Sequence, residues 1–414
     1  MFNDLKNDLI SSLLKYTVVD TMSDEKLAET KHPSTLNQLD LINLLKKDLE
    51  ELNIEDVTVG PEGVLVAHIP ATVENAPCIG LMAHVDTADD VEGNGVKPQV
   101  VENYDGKDIV LKGSSRIIKR EENPELANYV GSTIITSDGT TLLGADDKAG
   151  VSEIMAIAKI LVNHPEIEHG EVEIIFTCDE ETGCGMDAFP YDRIHCDYCY
   201  TIDGGTRYEI ESECFNASKV TVDFKGVSYH LGAARGKMVN ALTLATSFVN
   251  NLPQAESPEA TDQRFGYYCP LELNATNDEA HLMIYLRDFE ISEIERRENV
   301  LKSLSQMIEQ INPGSKISIN FKRQYYNMKD ISLKNPKVLE SIYEAGRRLE
   351  QPLFESPIRG GTDGARMANE KGIPCPNIYT GGHNYHSYYE WCAVDAMEDA
   401  VKLILEIIKI GAEK

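Results

Sequence analysis

No stretch of this 414-residue chain approaches the run of about eighteen apolar residues that a membrane span needs. The opening "MFNDLKNDLISSLLKY" breaks its apolar positions with Asp4, Lys6 and Asp8, so it reads as an amphipathic helix and not as an export signal. Positive charge is scarce as well: Lys and Arg number 39 against 68 Asp and Glu, a formal net charge of −29. So acidic a surface repels phosphate backbones and anionic lipid, which argues against nucleic-acid and membrane partners. It also makes any single Asp or Glu weak as a sign of a site, so only clustering counts. The nine cysteines are odd in number and scattered, as expected of free thiols in a reducing cytoplasm. Cys196 and Cys199 form a lone C-x-x-C with no second pair at zinc-ribbon distance, and they read as small buried residues flanking a strand. Internal repeats, low-complexity tracts and coiled-coil periods are absent.

What is present is an alternation. Up to about residue 210, short β-rich runs such as "GVLVAHI", "CIGLMAHV", "EVEIIFT" and "YCYTI" alternate with helical patterns, as in parallel α/β sheets. The polar stretch from about Glu92 to Thr140 reads as decoration of the sheet edge. From about Cys214 the style changes to "SKVTVDFKG", "NALTLATSFVNNL", "HLMIYLRDFE", "ISEIERRENVLKSLSQMIEQI" and "KISINFKRQYY", a β-α-β-α-β segment that predicts an inserted ferredoxin-like α+β module. Beyond about Tyr326 the α/β alternation resumes. The expected organisation is therefore a discontinuous α/β domain over residues 1–213 and 325–414, with a smaller domain over 214–324.

The chemistry-bearing residues follow the strands. "CIGLMAHV" delivers His84 and then Asp86; "EVEIIFT" is followed by Asp179, Glu180 and Glu181; "YCYTI" by Asp203; "NIYT" by His383 and His386. Asp146 and Asp147, in "LLGADDKAG", open an apolar helix in the same kind of position. In open α/β sheets ligands bind beyond the carboxyl ends of the strands. Taken singly, Asp146 is a helix cap, Glu180 and Glu181 a solvated loop, Asp203 a turn residue and His84 a core histidine. Together, two imidazoles and three or four carboxylates with no cationic neighbour suit zinc or a similar first-row ion. They are too many for one open tetrahedral site and fit two ions about 3.5–4 Å apart. Asp146 would bridge them, and Asp147 would cap the helix or support the site.

These motifs, "MAHVDTADD", "LLGADDKAG", "TCDEETGCGM", "TIDGG", "GKMVNA", "YLRDFE", "RGGTDG" and "GGHNYHSYYEW", resemble in order and spacing the co-catalytic dizinc exopeptidases, and among them the bacterial aminotripeptidases. The resemblance covers nearly the whole chain and implies a mixed-sheet catalytic domain carrying a lid through which many relatives dimerise. It implies five metal ligands: His84, Asp146 as the bridge, Glu181, Asp203 and His386, with His383 as the nearest competitor for the last place. Asp86 would orient His84, and Glu180 would be the general base. His230 would be the lid histidine that helps polarise the scissile carbonyl, reaching the site of a partner subunit. Arg287 would hold a substrate carboxylate, and the loop Arg359–Gly364 would lie beside the cleft. The lid motif departs from the usual H-P-G-T-A-K-G, reading "HLGAARG", and Ser387 stands where Gly is usual. The implied activity is release of the N-terminal residue from tripeptides in the cytoplasm, using two zinc ions. The alternative on the same dizinc centre is a dipeptidase, carboxypeptidase or N-acyl-amino-acid deacylase.

Overall fold

The computed structural model describes residue 2 and residues 4–413, and it divides into two compact units. The first comprises Met1–Ser212, Asp330–Ser356 and Thr362–Lys414; the second comprises Glu213–Lys329 and Pro357–Gly361.

The first unit is built on an eight-stranded mixed sheet. Its centre is four parallel strands in the spatial order Val172–Thr177, Ile79–His84, Tyr198–Gly204 and Asn377–Tyr379. Strands in such a position are covered on both faces, and every residue of Ile79–His84 and Val172–Thr177 is buried. Ile79, Leu81 and Ala83 face the main core together with the helices Leu5–Thr17, Ala145–Asn163 and Val394–Ala412, whereas Met82 joins Met367 of helix Asp363–Lys371 on the other side. The opening helix is amphipathic as its sequence predicts, burying Leu5, Leu9 and Leu13. Antiparallel strands extend the sheet through Leu65–Ile69 at one edge and Glu209–Glu211 at the other.

The stretch around residues 92–140 does not decorate that sheet. Gln99–Val101 and Ile134–Thr136 instead combine with Gly382–His383 and Trp391–Ala393 in a separate four-stranded sheet, backed by a cluster containing Leu111, Tyr129 and Trp391. Strands of two or three residues are too short to show a period, which hid this sheet in the sequence.

The second unit is a four-stranded antiparallel sheet in the order Tyr267–Ala275, Glu279–Asp288, Asn216–Lys225, Lys316–Tyr325. Helices Ala241–Asn250 and Ile291–Ile311 share one core with it, through Leu244, Phe248, Ile294 and Leu301 against Val220, Val222, Leu282 and Ile284. The chain order is β-α-β-β-α-β, one strand more than the sequence pattern showed. The extra strand, Tyr267–Ala275, carries Pro270 and an irregularity between Pro270 and Glu272, and it is largely exposed, as edge strands with proline are. Pro357–Gly361 belongs with this unit because Ile358 bridges Cys214 and the Arg359 guanidinium donates to the carbonyls of Gln263 and Phe265.

Candidate metal centre

Five segments of the first unit bring carboxylates and imidazoles together at the carboxyl ends of the parallel strands. His84 closes strand Ile79–His84, Asp203 lies in Tyr198–Gly204, and Glu180 and Glu181 form the single turn that follows Val172–Thr177. His386 stands on the loop between the short strands Gly382–His383 and Trp391–Ala393. Asp146 and Asp147 precede the regular part of the helix, since both have non-helical backbone angles and the peptide between them is cis. Asp147 therefore caps: its Oδ1 accepts from the Gly150 N–H at 3.2 Å, while its Oδ2 accepts from the His84 N–H at 3.3 Å. Gly150 is required there, because a Cβ would lie 1.7 Å from the Ile202 carbonyl oxygen of the neighbouring strand.

Asp146 holds the centre. Its Oδ1 lies 3.0 Å from His84 Nε2 and its Oδ2 lies 3.4 Å from His386 Nε2, so the two oxygens serve opposite sides. Asp203 joins the His84 side at 3.6 Å, and Glu181 joins the His386 side at 2.9 Å. Two groups, His84–Asp147–Asp203 and His84–Asp146–Glu181, have ligand atoms within 4.8 Å of one another, a spacing able to hold a metal ion. Glu180 belongs to neither group, although its charge is felt beside His84, Asp203 and Asp363.

The surrounding residues fix this arrangement. His84 Nδ1 lies 3.1 Å from the Asp86 carbonyl and 3.4 Å from its carboxylate, which leaves Nε2 facing the acids. The same carboxylate accepts from the N–H groups of Glu180 and Glu181 at 3.0 and 3.2 Å, tying the acidic turn to the histidine strand. Of three supports, Glu390 and Asp90 were not singled out from the sequence, and Asp179 was named there without a role. Glu390 accepts from the N–H groups of Leu143, Gly144 and Asp146, at 2.7, 2.7 and 3.1 Å, and so holds the Asp146 loop. Asp90 approaches His386 Nδ1 at 3.2 Å. Asp179, on a left-handed backbone, accepts from the Ser34 N–H and the Gln38 amide and anchors the turn before Glu180. The acidic "DTADD" and the Glu beside the sole tryptophan were available signals for the first two, but charge alone does not say which carboxylate turns inward.

The electrostatics show what this donor set suits. Burial, reinforced by Asp146, pushes Glu181 up to about 8, and burial likewise raises Asp203, Asp147 and Glu180. Burial works to raise Asp146 too, yet hydrogen bonds from His386 and His84 hold it below the usual carboxylate range. Asp146 and Glu181 lift His386 to about 11. Closely spaced carboxylates repel one another in this way until a cation neutralises them. Glu181 Oε1 is also buried without a hydrogen-bond partner, so an acceptor is left over in the cluster. The residues fit divalent metal ions bound through nitrogen and oxygen.

His383 lies apart from this group. Its ring stacks on Trp391, with centroids 4.0 Å apart, and burial lowers it to about 4. His230 and Arg287 lie in the second unit. His230 is exposed just before the turn Leu231–Ala233, and Arg287 is buried over Tyr285 and Tyr325, with Nη1 donating to the Leu286 carbonyl.

Comparison with known proteins places this geometry among relatives. A family model described as peptidase family M20/M25/M40 matches residues 138–410. The peptidase T of Bacillus licheniformis is 41% identical over 412 residues, covering 99% of this chain and 100% of that protein. Among solved structures, the aminopeptidase PepT of Bacillus cereus ATCC 10987 superposes with a TM-score of 0.76 at 23% identity, and a tripeptidase of Staphylococcus aureus subsp. aureus Mu50 with 0.77 at 21%. Each of these two alignments covers 99% of both chains.

Proposed function

The chain belongs to peptidase family M20/M25/M40 and is a peptide-bond hydrolase, and from that premise we propose a cytoplasmic metallo-aminopeptidase that releases the N-terminal residue of tripeptides. Two zinc ions would be held by His84, Asp146, Glu181, Asp203 and His386. The observation that carries this reading is Asp146, whose two oxygens turn towards two different imidazoles, each with its own further carboxylate. The names of the relatives, peptidase T, aminopeptidase and tripeptidase, favour the tripeptide substrate over the other uses of such a centre.

The zinc pair, when bound, supplies Lewis acidity that lowers the pKa of a water towards about 7 and polarises the scissile carbonyl. Glu180 would serve as the base that takes a proton from the attacking water and gives it to the leaving amine. Such a base is worth about 10²–10⁴-fold. Asp86 keeps His84 in one tautomer by accepting at Nδ1. The acidic wall receives the ammonium group of a free peptide N-terminus. We assign Arg287 to the substrate carboxylate, as a guanidinium fork suits, and His230 to the scissile carbonyl. The second unit is also the part we assign to homodimer formation, supported by the exposed Leu271 and Leu273 on its edge strand. No helix among the described residues is long and apolar enough to cross a membrane.

Rates on free tripeptides, dipeptides and N-acyl amino acids test the proposal. Tripeptides should be cleaved best, and a preference for acylated substrates would overturn it.

A further inference from the structure

A second cluster of histidines and carboxylates lies in the first unit at the opposite, amino-terminal edge of the parallel strands. Strand Ile79–His84, six residues long or roughly 20 Å, separates that edge from His84. Here His68 stands opposite Glu173 across the pair Leu65–Ile69 and Val172–Thr177, and Glu171 lies two residues before Glu173 on the same face. His195 comes from the loop that enters Tyr198–Gly204.

The distances are those of a ligand set. His68 Nδ1 lies 3.1 Å from one oxygen of Glu171, and His195 Nε2 lies 3.2 Å from the other. Tetrahedral ligands about 2.0–2.1 Å from a zinc ion are roughly 3.3 Å apart. The two rings stack at 5.3 Å, and one ligand atom from each of His68, Glu171 and His195 falls within 4.8 Å of the other two. What distinguishes this cluster from a surface ion pair is Glu173. It is fully buried and lies 2.6 Å from His195 Nδ1, and it also accepts from the N–H groups of His195 and Cys196 at 3.0 and 3.1 Å. Glu173 thus holds the His195 backbone and lies against Nδ1, which leaves Nε2 as the ring nitrogen facing Glu171. A buried carboxylate beside one ring nitrogen, with the other nitrogen turned outward, is how metal-binding imidazoles are oriented. The loop can approach so closely because Gly80, the strand neighbour of Glu173, has no side chain; a Cβ there would meet Cys196 Sγ at 2.8 Å.

We propose that His68 Nδ1, Glu171 and His195 Nε2 form a further site for a divalent first-row metal ion of the zinc class, with Glu173 as the residue that positions His195. Nitrogen donors exclude calcium and magnesium as the preferred ions. His195 is 56% exposed, so water or an outside ligand completes the coordination. The ion would tie together the strand ends that carry His68 and Glu171 and the loop that carries His195. Cys78 also lies near Glu173 and His195. The simpler occupant is a proton on each imidazole, which would balance the same two carboxylates.

Zinc content decides between them. The full-length protein is incubated with excess zinc chloride and desalted, and zinc per chain is measured for the wild type, His195→Ala and Glu171→Gln. Each variant should hold one zinc fewer than the wild type while kcat/KM on a tripeptide stays within about twofold. Because the readout is a difference, it stands whatever number of ions the Asp146 centre holds. Glu171 is 35% exposed, so Glu171→Gln serves if His195→Ala does not fold. Glu173→Gln should weaken the site by about 10–100-fold without removing a ligand. Equal zinc in wild type and folded variants would overturn the proposal in favour of protonated histidines.

Discussion

The two histidines that face Asp146 reach it by different means. His84 ends a central strand, is 2% exposed, and is held through its own backbone by Asp147 and through its ring by Asp86. His386 sits on a loop with a positive φ of 57°, is 42% exposed, and is steadied by Asp90, itself 60% exposed. One half of the centre is therefore part of the sheet, and the other is a hairpin loop laid against it. A buried, strand-borne ligand loses little on binding because it is already ordered, whereas an exposed loop must be fixed at the same moment. The His84 half should hold its ion more tightly, and the His386 half should exchange it.

Removing the ions altogether gives the largest expected effect. Chelation should abolish peptidase activity while circular dichroism shows the fold retained, and partial chelation should leave one ion per chain, the one on the His84 side. Random loss from both sides would erase the distinction. Next comes Glu180 against Glu181. Glu180→Ala should keep both ions and lower kcat by roughly 10²-fold or more, as loss of a positioned base does. Glu181→Ala should instead lose the ion beside His386, from which Glu181 lies 2.9 Å. Metal content and kcat measured on both variants reveal whether the roles are reversed. A smaller change is expected from Asp90→Ala, which leaves every ligand in place. About tenfold weaker binding of a single ion, read by competition with a chromophoric chelator, would match the loss of an orienting carboxylate.

The smallest effect concerns His383, three residues from His386 and different in kind. Burial lowers its folded pKa to about 4, against about 6.5 when unfolded. In that window only the unfolded chain binds the extra proton, so His383 costs no stability above about pH 6.5 and reduces it as the pH falls towards 4. Replacing it by Phe should flatten the fall in Tm over that range without changing metal content. An unchanged slope would show that the ring is not the group responsible.

The contrast also explains what could be read from the sequence. Groups on long elements were visible: the strand runs that end at His84 and Asp203 are apolar along their length, and the helices Ala241–Asn250 and Ile291–Ile311 follow their apolar periods. The convergence of the segments that carry His84, Asp146, Glu180 with Glu181, Asp203, and His383 with His386 followed from their places after strands, because parallel sheets deliver side chains to one edge; the choice of Glu181 and His386 as ligands came from the family resemblance. What rests on short elements was hidden. The small sheet beneath the His386 loop consists of strands of two or three residues, and the edge strand Tyr267–Ala275 is disguised by Pro270. Glu390 and Asp90 were hidden for another reason. In a chain with 68 acidic residues, only three-dimensional contact shows which carboxylates turn inward to brace a loop.

The order of the strands has a consequence for the protein during its own synthesis. Asn377–Tyr379 lies between Tyr198–Gly204 and Glu209–Glu211, so Glu209–Glu211 has no partner in the sheet until residues made much later emerge from the ribosome. Glu213–Lys329 is translated in between, and nearly the whole second unit can fold while the sheet is still open. His386 and Glu390 come later still, so Asp146 meets its second histidine, and its loop meets its brace, only once translation has passed them. A nascent or prematurely terminated chain therefore carries His84 and most of the acids but not the complete cluster around Asp146, and on the proposed function hydrolysis would begin only with the nearly finished molecule.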